Sequence, residues 1–156
     1  MPNPSTYPYR RFPTIQVDAA AHAARGTDAV KQELRALCAG SNKTVVTVEC
    51  YPGTDQAEIL ALFPHAELVI HTDDLAIPPT ELDAKIEHEL TDDPVFGIMT
   101  TWQMKDFYPE EALCAARDKI DAVTDGLVLI YGAGASLVER ADITIYADIT
   151  RWEIQL

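Results

Sequence analysis

Apolar positions recur along this chain with two alternating periods, and the alternation predicts its fold class. Residues 27–39, TDAVKQELRALCA, place Val30, Leu34, Leu37 and Cys38 at i, i+4, i+7 and i+8, one face of a helix that Thr27 or Asp28 can cap and Gly40 can end. TVVTVEC (44–50) is a β-branched strand, apolar on both faces. A short helix over 55–63 turns Ile59, Leu60 and Phe63 inward, and ELVIHT (67–72) is a second strand. After the loop DDLAIPP, a helix from about 80 to 89 carries Leu82 and Ile86 on one side. TDDP (91–94) is a turn and VFGIMTT (95–101) a third strand. Pro109 in the first turn, with Glu110 and Glu111 near the positive end of the helix dipole, opens a helix reaching about Ala122, with Leu113, Ala116 and Ile120 inside. GLVLIYG (126–132) is a continuous apolar strand, DITIYAD (142–148) the last strand, and TRWEIQL the start of a helix.

Strands alternating with helices predict an α/β domain: a parallel sheet of about five strands with helices on both faces. The runs 44–50 and 126–132 lack polar alternation, so they belong side by side at its centre, covered on both faces. Residues 1–26 form a separate segment, an extended Pro-rich arm (MPNPSTYPYRRFP) and lead-in, ahead of a single domain over 27–156. The pattern stops at Leu156 inside a helical stretch, which reads as a piece of a longer chain.

Composition narrows the partners. The 156 residues suffice for one domain with a real core. Acidic side chains outnumber basic ones 25 to 12, a formal charge of −13. Such a surface repels nucleic acid and anionic membrane, and it repels free nucleotide unless a cation or a cluster of donors intervenes. Cys38, Cys50 and Cys114 are odd in number, form no C-x-x-C pair and lie in apolar periodic segments. They read as buried reduced thiols of a cytoplasmic protein. No apolar run approaches the length of a membrane helix, and the N-terminus has no signal-peptide core.

The candidate chemistry gathers after the strands. ECYPGTD leads from a strand into a helix, the setting of a phosphate-gripping loop. A Walker A loop needs a second glycine, a lysine and a hydroxyl. Here Gly53 is the loop's single glycine, and Asp55, Gln56 and Ala57 stand where Gly-Lys-Ser would enter the helix. Asp55 sits at the N-cap, where its carboxylate takes the N–H groups a phosphate needs and repels the phosphate as well. The loop is thus either a capped Tyr-Pro-Gly turn or a modified ligand site, built from Tyr51, Pro52, Gly53, Thr54 and Asp55. Asp73 and Asp74 follow the carboxyl end of a strand, where open parallel sheets bind ligands; they read as a Mg²⁺ or general-base pair, or as a solvated acidic loop. Asp92 and Asp93 precede Pro94 and make a turn. His65, His71 and His88 lack zinc spacing, and no metal-ligand cluster is legible. YGAGAS (131–136) lacks the third glycine of a dinucleotide fingerprint and reads as a close turn into a short helix.

The run GLVLIYGAGASLVERADITIYADITRWEIQL resembles the uridine-kinase-like branch of the P-loop kinases, as do HTDDLAIPP and LTDDPVFG. That resemblance implies a P-loop-kinase-like fold, with Asp73 at the position of the catalytic base toward a substrate hydroxyl. More specifically, ECYPGTD, TDDPVFG, YGAGASLV and YADITRWEIQ look like the non-cupin N-terminal region of long bacterial proteins called class I mannose-6-phosphate isomerases; the likeness spans roughly 44 to 156. It implies a parent protein in carbohydrate metabolism, with a C-terminal cupin module that carries its own metal ligands. The expectation is an accessory kinase-fold domain that binds a small-molecule phosphate or sugar, or organises a homo-oligomer, through Tyr51–Asp55, Asp73, Asp74 and Arg151. The alternative is an active nucleoside or sugar kinase with an unorthodox phosphate site, using Mg²⁺ with nucleotide; only under that alternative is a cofactor implied.

Overall fold

The computed structural model describes residues 23–150. The arm, most of the lead-in and residues 151–156, with Arg151, lie outside the described residues. Four helices and four strands follow in the order α1 (Thr27–Cys38), β1 (Lys43–Cys50), α2 (Gln56–Leu62), β2 (Ala66–His71), α3 (Pro79–Ile86), α4 (Glu110–Ala122), β3 (Gly126–Gly132) and β4 (Ile143–Ala147). Short 3₁₀ turns lie at Thr72–Leu75, Glu87–Glu89, Met104–Phe107 and Ala135–Leu137.

The sheet order is β2-β3-β1-β4. Pairing is parallel throughout, with Val46 opposite Leu129 in the β1–β3 ladder and Val46 opposite Ile143 in the β1–β4 ladder. The two apolar strands are therefore neighbours at the centre. Their alternate side chains feed two cores. Val45, Val128 and Ile130 pack with Leu113, Ala116 and Ile120 of α4 on one face. Val46, Val48 and Leu129 pack with Ile59 of α2 and Phe63 just after it, and with Leu34 and Cys38 of α1, on the other. The fold is α/β with a parallel sheet covered on both faces. Right-handed crossovers require this, because β1 leaves toward β2 on one side whereas β3 leaves toward β4 on the other.

Several sequence expectations are corrected. The sheet has four strands among the described residues, because 95–101 forms no strand. The groups a ladder would use are bound locally. The Asp93 carboxylate accepts from the N–H of Val95 at 2.8 Å and of Phe96 at 3.1 Å, and the N–H of Ile98 donates to the Glu89 carbonyl at 2.9 Å. Gly26, not Thr27 or Asp28, holds the N-cap position of α1, with no side-chain cap. Leu37 and Leu60 face solvent. Of the cysteines Cys50 is buried, Cys38 half-buried and Cys114 exposed. No helix among the described residues is long and apolar enough to cross a membrane.

Candidate functional site

The carboxyl ends of β1 and β3 lie side by side while their chains leave in opposite directions. Such a reversal opens a crevice in a parallel sheet, and ligands of open α/β sheets bind there. In this protein the crevice is a cleft of about 220 Å³ lined by Cys50, Tyr51, Pro52, Gly53, Thr54, Gln56, Asp73, Gly132 and Ala133. The structure thus brings together five of the eight residues singled out in the sequence: Tyr51, Pro52, Gly53, Thr54 and Asp73. Asp55 and Asp74 stand outside the lining, and Arg151 lies outside the described residues. Cys50, Gln56, Gly132 and Ala133 join the cleft without having been foreseen.

The loop after β1 is held at both ends. The Tyr51 N–H donates to the Ala147 carbonyl at 2.9 Å, and both the Thr54 N–H and its hydroxyl donate to the Tyr51 carbonyl, at 3.0 and 2.6 Å. Gly53 has φ +99°, a backbone conformation L side chains rarely adopt. Asp55 then caps α2: its carboxylate accepts from the N–H of Ala57 at 2.8 Å and of Glu58 at 3.4 Å. The donors at the start of this helix already have an anion.

The loop after β3 is closed in the same way, by a residue the sequence reading did not single out. Glu49, next to last in β1, accepts from the N–H groups of Gly134 and Ser136 and from the Ser136 hydroxyl. Gly134 takes the left-handed conformation (φ 72°, ψ 17°) that turns its N–H toward this carboxylate. One signal pointed to Glu49: it is the one acidic residue in β1 and follows a run, Thr44–Val48, that is wholly β-branched, just ahead of the loop.

On the β2 side, the His71 ring stacks on Tyr131 with centroids 4.6 Å apart, and its Nε2 lies 3.5 Å from the exposed carboxylate of Asp73. Burial pushes the Cys50 thiol and the Tyr131 phenol up from their ordinary values, and the charge of Asp73 adds to both shifts. Among the described residues no lysine or arginine lines the cleft. A larger cavity, about 420 Å³, lies elsewhere, beside Arg117, Ser136, Arg140 and Thr144. Arg117 there is spent on structure: it donates to the carbonyls of Val138 at 2.7 Å and Leu137 at 3.1 Å and pairs with Glu110 at 2.9 Å. Among the described residues no group of three or more His, Cys, Asp or Glu side chains is placed to hold a metal ion.

Fold and cleft together define a parallel α/β domain with an acidic crevice at the carboxyl edge of its sheet. The chain belongs to the family described as Domain of unknown function (DUF8485), which matches residues 26–156. No curated protein and no solved structure matches it.

Proposed function

We propose that this chain is an accessory, kinase-fold domain of a mannose-6-phosphate isomerase-like protein. It binds a small molecule at the sheet edge or organises its parent rather than transferring phosphate. One observation carries the reading: both loops at the crevice spend their backbone donors on internal carboxylates, Asp55 at the start of α2 and Glu49 at the turn after β3. Phosphoryl transfer draws most of its catalysis from N–H donors and positive charge around the phosphates. Here the donors are occupied, and among the described residues the cleft lining contributes Asp73 and no cation. The isomerase chemistry belongs, in this reading, to a cupin module beyond these residues.

The test is a thermal-shift panel with ATP, GTP, UTP and sugar phosphates, with and without Mg²⁺, beside a coupled kinase assay over nucleosides and sugars. A ligand at 100 times its Kd stabilises by about 2.7 kcal/mol, so binding is easily read. The expected result is no turnover with any nucleotide. Turnover near 1 per second, at the low end of ordinary kinases, that Asp73→Asn abolishes establishes the active kinase instead.

A further inference from the structure

Six of the large apolar side chains that face solvent crowd into one stretch: Leu90, Val95, Phe96, Ile98, Met99 and Met104. Met99 is 92% exposed and Phe96 72%. Isolated exposed apolar residues need no explanation, but a run of them marks a contact surface. The backbone that presents them is tied down. Beyond the Asp93 and Glu89 bonds that exclude a strand here, the Thr91 hydroxyl donates to the Phe96 carbonyl. The Trp102 indole N–H donates to the Glu89 carboxylate at 2.9 Å, and the Lys85 ammonium sits 5.4 Å from the centre of the same ring. A Cβ at Gly97 would lie 2.8 Å from the Glu89 carbonyl oxygen, so glycine is required for this approach. The segment therefore displays an apolar ridge on a bonded support.

The charge around the ridge selects what covers it. Glu87, Glu89, Asp92, Asp93 and Asp106 flank it, against Lys85 and Lys105. The covering partner must be apolar and basic. One segment of this chain has that composition. Residues 7–17, YPYRRFPTIQV, hold three aromatic side chains, Ile15, Val17 and the adjacent pair Arg10–Arg11, with no acid before Asp18. An extended path from Phe12 to residue 23 spans about 35 Å, well over the radius of gyration of about 14 Å expected for a domain of this size. We propose that residues 7–17 dock on the ridge of their own chain, the aromatic and aliphatic side chains covering Phe96, Ile98 and Met99 and the two arginines facing the acidic rim.

The full chain tests this with the photo-crosslinker benzoylphenylalanine in place of Tyr9, the crosslinked peptides being mapped by mass spectrometry and the oligomeric state followed by light scattering. The expected product is an intramolecular crosslink into residues 95–104. The double substitution Arg10→Glu/Arg11→Glu is expected to reduce it about tenfold at low salt, the scale of two exposed ion pairs, and Phe96→Asp/Met99→Asp to remove it. Added salt should weaken it as well, since rim pairs are screened. Crosslinks that land elsewhere on the domain, or that survive both double substitutions, overturn the proposal. So do ridge-to-ridge contacts in a dimer that Phe96→Asp/Met99→Asp dissolves, which make the patch an interface between copies. Circular dichroism of each variant confirms that the domain is folded when crosslinking is lost.

Discussion

The carboxylate of Glu49 accepts the backbone N–H of Ser136 at 3.0 Å, joining the last turn of β1 to the loop that leaves β3. The same carboxylate takes the Ser136 hydroxyl at 3.1 Å and the N–H of Gly134. Three donors converge on one side chain, and without it they face a crevice that offers them no other acid from the same strand.

Glu49→Ala should therefore cost about 1–3 kcal/mol, the cost of leaving part-buried donors without an acceptor. Glu49→Gln keeps one acceptor oxygen and should cost less than half as much. Urea unfolding of the three proteins measures both. Equal midpoints for wild type and Glu49→Ala would show that water replaces the carboxylate and that the lock is dispensable.

At the other loop the donors belong to a helix. Asp55→Ala removes the cap of α2 and should lower stability by about 1 kcal/mol, whereas Asp55→Asn, which caps nearly as well, should stay close to wild type. Thermal melts of the pair separate capping from charge. A larger loss in Asp55→Asn than in Asp55→Ala would mean that the negative charge matters for something other than the helix end.

These two carboxylates differ in how readable they were. Asp55 acts on donors two and three residues ahead, a local pattern visible in the sequence as an acid before an apolar periodic run. Glu49 acts on donors 85 and 87 residues away, so its role exists only once β1 and β3 are paired. The central strands were legible for a physical reason: Val45, Val46 and Val48, with Val128, Leu129 and Ile130, offer apolar side chains to both faces, and only a position covered on both sides accommodates that. The run 95–101 misled because its composition is strand-like, while its fate was decided by Asp93 and Glu89 just outside it. Leu37 and Leu60 fit a helical stripe by spacing, yet both face solvent. The cleft was half legible. The loop residues after β1 and Asp73 follow strand ends, but the contribution of Gly132 and Ala133 depended on strand order.

Gly132 is the tightest point of that edge. It has φ +120°, and a Cβ there would collide with the Oγ1 of Thr72 and lie 3.2 Å from its Cβ. Thr72 is fully buried. Gly132→Ala should cost about 3 kcal/mol or more, from overpacking and backbone strain together. Adding Thr72→Ala removes the worse contact and should restore part of the loss, a coupling that a double-mutant cycle measures. A Gly132→Ala protein that melts with the wild type would mean the β2–β3 edge opens far more easily than its packing implies.

The last expectation concerns alkaline pH. Tyr108 is buried, and its hydroxyl donates to the Ala133 carbonyl at 2.6 Å, behind the cleft. Burial pushes its phenol above the ordinary value of 10.0 and does the same to Tyr131; it also lifts the Cys50 thiol above 9.0. In the unfolded chain these groups lose their protons at ordinary values, while the folded chain holds them to higher pH. The folded state then binds more protons than the unfolded one, so stability falls as pH rises. Their contribution is complete below the unfolded values and is lost as pH climbs through the raised ones. The melting temperature should therefore begin to drop above about pH 9 with Cys50 and fall more steeply above about pH 10 as the tyrosines enter. Tyr108→Phe removes one of the three groups together with its hydrogen bond. It should cost about 1 kcal/mol at neutral pH, yet lose less than the wild type over the alkaline range. Melts of both proteins across that range decide the matter, and parallel curves would rule Tyr108 out as a source of the alkaline loss.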